Sequence, residues 1–236
     1  MTDHGDGRVP AGGGPLVYVE DLSAPLLAPA DHHHLARVRR LRDGDPLIVG
    51  DGAGRWRPAR FHDRTPELAG DPVEEPAALP ELGVAFALTK GTKPELAVQK
   101  LTEVGVDRIC PFTAGRSVVR WDHARADRAL ERLATVARQA AMQSRRARPP
   151  VVEPVVDYPE VAGRAGACRA DRGGAPPILA HPLVLVGPEG GWDADELAVD
   201  LPTVALGTGV LRAETAAITA GALLVALRAG LVVPAG

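Results

Sequence analysis

What most constrains this chain is an alternation, from residue 82 onward, between short apolar runs and amphipathic stretches. Residues 82–88 are apolar over a length that suits a fully buried strand. Pro94 then stands where a first helical turn begins, and Val98, Leu101 and Val104 recur at helical spacing up to Gly105. A strand is expected over 106–112. After it comes a long helix that Asp122 can cap, turning Leu130, Leu133, Val136 and Ala140 inward. Strands over 182–186 and 201–206, and a helix from about residue 214 to 229, continue the scheme. Asp193 followed by Glu196 reads as a capping box between them. Such an alternation predicts an α/β fold with a mostly parallel sheet covered on both faces.

The text before residue 82 is different. Apolar stretches at 16–19, 46–49 and 56–61 are separated by Asp43-Gly44-Asp45 and Asp51-Gly52-Ala53-Gly54, the pattern of a small β-rich unit. Residues 1–15 read as a flexible N-terminus and 71–81 as an acidic linker. The expected organisation is therefore a β domain over 16–70 and an α/β domain over 82–236.

Charge is distributed unevenly. The net charge is −3 over 236 residues, yet residues 32–64 hold eight arginines against four acids. Residues 138–148 add Arg138, Arg145, Arg146 and Arg148 with no acid at all. Local patches rather than the total set the field that a phosphate backbone meets. The alternative is a plain solvated Arg-rich surface. No apolar run approaches the ~18–20 residues of a membrane span. Two cysteines, Cys110 and Cys168, make no disulfide framework and no metal-type spacing, so a reducing cytoplasm is expected. His32-His33-His34 does not suggest a metal site, because neighbours on a strand point to opposite faces. No metal is expected.

Ligands of open α/β sheets sit outside the carboxyl ends of the strands. Two loops stand there: Gly187-Pro188-Glu189-Gly190-Gly191-Trp192, and Leu206-Gly207-Thr208-Gly209-Val210-Leu211-Arg212 directly before a helix. Neither matches a phosphate-loop or dinucleotide fingerprint.

Together these loops resemble the knot-forming region of SPOUT-class RNA methyltransferases, and more closely the RsmE family. That family methylates N3 of uridine 1498 in bacterial 16S rRNA. The likeness extends over Lys90-Gly91, Gln99-Lys100, Thr102-Glu103-Val104-Gly105, Pro111, Arg116-Ser117-Val118-Val119, Gln143-Ser144 and Arg146. His33-His34-Leu35, Val38-Arg39 and Gly44-Asp45 resemble the family's PUA-like RNA-binding domain. Gln139 and Met142 depart from glutamates usual in the family, and Thr208-Gly209 from a proline-containing pair.

The resemblance implies a PUA-like β-barrel followed by a trefoil-knot SPOUT domain, a homodimer, S-adenosylmethionine as methyl donor and the small ribosomal subunit as partner. Leu206, Gly207, Val210 and Leu211 would form the adenine slot. Gly187, Pro188, Glu189, Gly190 and Gly191 would admit the ribose and methionine portions. Arg37, Arg39, Arg40, Lys90, Lys93, Arg145 and Arg146 would face RNA. Uridine N3 must lose its proton before it attacks, which asks for a base and a fixed cation. Glu189 is the candidate base, provided partial burial raises its pKa. Arg212 and Arg116 are the candidate cations. A loop carboxylate bonded to backbone amides, and an ion pair of Arg212 with Glu214 or Glu189, are the structural alternatives. Another SPOUT activity, on a ribose 2′-oxygen or a different base, would use the same loops. A non-catalytic ribosome-assembly factor is the reading from outside the enzyme class.

Overall fold

A computed structural model describes residues 7–117 and 123–233. The chain divides into two compact units, Met1–Ala77 with Ala141–Pro149, and Ala78–Ala140 with Pro150–Gly236.

The first unit is a five-stranded sheet. It contains β1 (Leu16–Tyr18), α1 (Pro29–His33) running into a π-helical turn (His34–Val38), β2 (Pro46–Gly50), β3 (Arg55–Arg60), β4 (Glu67–Leu68) and β5 (Val73–Glu74). β1 runs parallel to β2, while β2 and β3 form an antiparallel hairpin with Leu47 opposite Ala59. Residues of β2 alternate between two cores: Leu47 and Val49 join Val17 and Phe61, whereas Ile48 joins Leu16, Tyr18 and Trp56.

Three expectations need correction here. The N-terminus is not loose from residue 7: the Trp56 indole N–H donates to the Gly7 carbonyl at 2.7 Å, and Val9 is buried. The acidic stretch does not simply link domains, since β5 pairs with β3 through Arg55 opposite Glu74 and Trp56 opposite Val73. Finally, residues 82–236 do not form one block. Ala141 and Ala147 are buried in the Trp56 core, and the Tyr18 hydroxyl donates to the Arg146 carbonyl at 2.5 Å. The apolar side chains of this segment find their partners in the earlier unit.

The second unit contains β6 (Gly83–Ala87), α2 (Lys93–Val104), β7 (Arg108–Thr113), α3 (His123–Gln143), β8 (Val151–Val152), β9 (Val156–Asp157), α4 (Tyr158–Ala162), β10 (Ala167–Ala175), β11 (Leu183–Val186), α5 (Ala194–Ala198), β12 (Thr203–Val204) and α6 (Ala213–Arg228). Its seven-stranded sheet runs β12-β10-β11-β6-β7-β8, with β9 also beside β7, and every pairing is parallel. Both faces are covered, as the alternation predicts. Val84 and Phe86 pack with Leu101, Leu133 and Leu224 on one side. Ala85 and Ala87 pack with Phe112, Tyr158 and Val161 on the other. α2 ends at Gly105 in the left-handed region, φ 108°. Gly221 lets α6 close on α2, since an added Cβ would lie 2.6 Å from the Leu101 side chain.

The expected strand over 201–206 shortens to Thr203–Val204. A nine-residue strand, β10, stands where the sequence shows only Ala-Cys-Arg-Ala-Asp-Arg-Gly-Gly-Ala. The expected Asp122 cap lies outside the described residues. Leu133 and Ala140 of α3 are buried and Leu130 and Val136 half-buried, as its spacing predicts.

Candidate functional site

The sheet brings the carboxyl ends of β11, β10 and β12 side by side, and a cavity of about 340 Å³ opens there. That volume lies within the ~300–1,000 Å³ of small-molecule sites. From the sequence-predicted set, Gly187, Pro188, Glu189, Gly191, Leu206, Gly207, Val210 and Leu211 line it. Gly190 does not. Its carbonyl accepts from Arg116 Nη1 at 3.0 Å, and an added Cβ would meet the Arg116 Cβ at 3.3 Å. Gly190 turns away because Pro188 and Gly191 close a turn, with the Gly191 amide on the Pro188 carbonyl at 2.9 Å and Gly191 at φ +71°.

Sequence reasoning missed Ala170, Asp171 and Arg172, which β10 contributes, and also Trp192. The indole of Trp192 donates to the Ala170 carbonyl at 3.2 Å and stacks on Phe112, with ring planes 5° apart. Gly187 packs against it so closely that a Cβ there would lie 2.9 Å from the ring. Trp192 ends the first glycine loop, which was the available signal. Asp171 and Arg172 left none, since β10 reads as a polar turn.

Beneath the loop the predicted capping box forms. The Glu196 amide donates to Asp193 at 2.8 Å, and the Asp193 amide donates to the Glu196 carboxylate at 2.8 Å. The other Glu196 oxygen accepts from the Gly115 amide at 2.8 Å. Tyr158 Oη and Arg169 Nη1 both donate to the Glu196 carbonyl. The loop therefore stands on a bonded base, while Val210 stays 80% exposed over the cavity.

Glu189 is exposed rather than partly buried, so the condition set for a strong base is not met. Its carboxylate is paired with Lys93, and among the described residues it bonds neither a backbone amide nor Arg212. The hydrogen bond from Lys93, then the Lys93 charge and the Arg212 charge, hold the Glu189 carboxyl below its ordinary value. Lys93 Nζ also lies 3.9 Å from Glu214 Oε2, a buried oxygen without a hydrogen-bond partner. Arg212 is the N-cap of α6 and is exposed. Glu189 thus sits beside Lys93 and feels the Arg212 charge, while Arg116 bonds the neighbouring Gly190 carbonyl.

The remaining predicted RNA-facing residues separate by unit. Arg37, Arg39 and Arg40 are exposed in and after the π-helical turn of the first unit. Arg145 joins them: burial first, then the nearby Arg39 charge, lowers its pKa, and its Nη1 donates to the Pro10 carbonyl at 2.9 Å. Arg146 is half-buried in the same segment. Lys90 is exposed in the second unit. His32 stacks on Phe61 and lies 2.9 Å from Asp63. No helix among the described residues is long and apolar enough to cross a membrane.

Comparison with known proteins matches residues 75–225 to an RNA methyltransferase domain and residues 27–66 to an RNA methyltransferase PUA domain. The Mycobacterium bovis ribosomal RNA small subunit methyltransferase E is 37% identical, over 87% of this chain and 88% of the relative. The Bacillus subtilis protein of the same name is 32% identical over 80% and 84%. A Legionella pneumophila methyltransferase, solved with bound S-adenosylmethionine, superposes with a TM-score of 0.78 at 23% identity, over 89% of this chain and 96% of that one.

Proposed function

Because this chain belongs to the ribosomal RNA small subunit methyltransferase E family, of SPOUT-class fold, we propose that it methylates N3 of uridine 1498 in 16S rRNA, using S-adenosylmethionine. The observation that carries this reading is the glycine-walled cavity lined by Glu189, whose carboxylate pairs with Lys93 and feels the Arg212 charge, with Arg116 bonded to the adjacent Gly190 carbonyl.

The residues present fit the cofactor. Leu206, Val210, Leu211, Ala213 and Ala216 offer an apolar surface for an adenine. A Cβ added at Gly207 or Gly209 would meet nothing within 4 Å, so the wall is open to a ligand at those points. Asp171 and Arg172 supply polar groups for the ribose hydroxyls and the amino-acid end. Bound S-adenosylmethionine supplies an electrophilic methyl on a sulfonium sulfur.

The protein's share is to hold uridine N3 in line and to move one proton. As the N3 proton leaves, negative charge spreads onto O2 and O4 of the uracil. Lys93, Arg212 and Arg116 are fixed cations that stabilise that charge. While Lys93 holds Glu189, the carboxylate is a weak base. A uracil oxygen that takes the Lys93 ammonium would release Glu189, which would then accept the N3 proton. Proton transfer is thereby tied to substrate entry.

A homodimer and a cytoplasmic location complete the reading. Light scattering is expected to return twice the monomer mass. The decisive test incubates small ribosomal subunits lacking the modification with protein and methyl-labelled S-adenosylmethionine, followed by nuclease digestion and mass spectrometry. 3-Methyluridine at position 1498 is the expected product. A 2′-O-methyl nucleoside or another methylated base would overturn the N3 assignment. Folded protein that binds neither S-adenosylmethionine nor its demethylated product would overturn the enzyme reading.

A further inference from the structure

A second cavity, of about 380 Å³, opens at the carboxyl end of β6, on the side where α3 passes. Its wall carries Lys90 and Gly91 from the loop before α2, and Arg125, Arg128 and Arg132 from α3. The three arginines are spaced i, i+3 and i+7, which puts them on one face of the helix. Among the described residues that line this cavity, four are cations and none is an acid. Near it, the Glu95 carboxylate is paired with Arg132 and retains a buried oxygen without a hydrogen-bond partner.

Such a wall selects an anion. Guanidinium groups present planar forks that match phosphate oxygens two at a time. The cavity is larger than a single small anion needs, and it is open rather than enclosed by apolar side chains. Its position identifies the source of the phosphate. Lys90 stands three residues before Lys93, at most about 11 Å along the chain. Lys93 holds Glu189 at the rim of the first cavity.

We infer that Lys90, Arg125, Arg128 and Arg132 form a clamp for the phosphodiester backbone of the RNA substrate, at or next to the target nucleotide. The inference rests on the RNA methyltransferase reading and adds α3 to the RNA footprint, which the sequence confined to Lys90 and Lys93 in this unit. The clamp positions substrate and takes no part in the bond changes.

The test uses the full chain and a fluorescein-labelled fragment of 16S rRNA containing uridine 1498, with anisotropy titrations at several KCl concentrations. The double substitution R125A/R128A is expected to weaken binding at least tenfold. It should also flatten the plot of log affinity against log salt by about 0.7 or more for each phosphate that is no longer neutralised. R125K/R128K is expected to keep the wild-type salt slope, because the charges remain. S-adenosylmethionine affinity is expected to stay at its wild-type value. Lys90→Ala, outside the helix, carries the same expectation for RNA and keeps the test valid if the helix variants lose stability. Wild-type affinity and slope in both R125A/R128A and Lys90→Ala would overturn the clamp while leaving the functional reading intact. A wild-type chain that binds no RNA would overturn both.

Discussion

Glu153 and Glu189 lie in the same unit, and cationic partners hold both carboxyls below the ordinary carboxylate range, in opposite surroundings. Glu153 is buried, which by itself pushes it up. Hydrogen bonds from Arg164 at 2.5 Å and from Arg108 Nε at 2.8 Å outweigh that burial. Glu189 is exposed and leans on one lysine, which a half-buried glutamate, Glu214, also approaches. The first carboxylate is surrounded by fixed partners that tie α4 and β7 together. The second has Lys93 for its partner, which the proposed mechanism has substrate remove. A depressed carboxylate therefore marks structure in one place and an exchangeable pairing in the other, and the number and burial of its partners tell them apart.

Removing each carboxylate is the strongest way to break this contrast. Glu153→Ala leaves two arginines facing each other without their shared anion, and such losses cost about 3–5 kcal/mol. The thermal midpoint is expected to fall by roughly 10 °C in calorimetry; a fall of only a degree or two would reduce Glu153 to a surface pair. The same group has a pH signature. Its folded pKa is depressed, so its stabilisation is fully present above the unfolded value near 4.5 and is lost as pH falls through the folded value. Glu153→Gln is expected to flatten the midpoint-versus-pH curve below that point.

Glu189→Gln is expected to leave the thermal midpoint in place and to slow methyl transfer by about 10²-fold in single-turnover assays. An unaltered rate would remove Glu189 as proton acceptor. Gly187→Ala forces the Trp192 ring to move and should weaken S-adenosylmethionine binding about tenfold by titration calorimetry. Unchanged affinity would show that the ring position does not matter to the ligand. The smallest expected effect sharpens the contrast. Lys93→Met removes the main cause of the Glu189 depression, so the acid limb of the rate profile should move to higher pH. A limb that stays put would mean that Lys93 does not govern the ionisation on which turnover depends.

Much of the second unit was legible because its signals are local. Pro94 and Gly105 bracket α2, and Asp193 with Glu196 starts α5, as the sequence predicts. The two glycine loops mark the cavity, and eight of the nine predicted cofactor-loop residues line it. β10 was illegible for a physical reason. Its buried first half, Ala167 to Arg169, is followed by an exposed Asp171-Arg172-Gly173 stretch that breaks the apolar run. The strand is held by its neighbours β11 and β12 rather than by its own pattern. Pairings between distant residues were also beyond reach. Lys93 and Glu189 are 96 positions apart, and Tyr18 and Arg146 are 128 apart. No periodicity encodes pairings of that kind. The glycine at 190 shows the finer limit: a Gly-rich string says that backbone will pass close to something, not that the something is a ligand.

The indole wedged between Gly187 and Phe112 has an optical consequence. Trp192 borders the cavity and is fixed by its bond to the Ala170 carbonyl, so a ligand entering there changes the polarity around a chromophore that cannot swing away. Of the chain's other two tryptophans, Trp56 is buried in the other unit, 0% exposed, and Trp121 lies outside the described residues, so the W121F variant isolates the Trp192 signal over a constant Trp56 background. The protein thus carries its own dye at this cavity. Occupancy can be followed in real time from ultraviolet emission, without a label and without waiting for a methyl group to move.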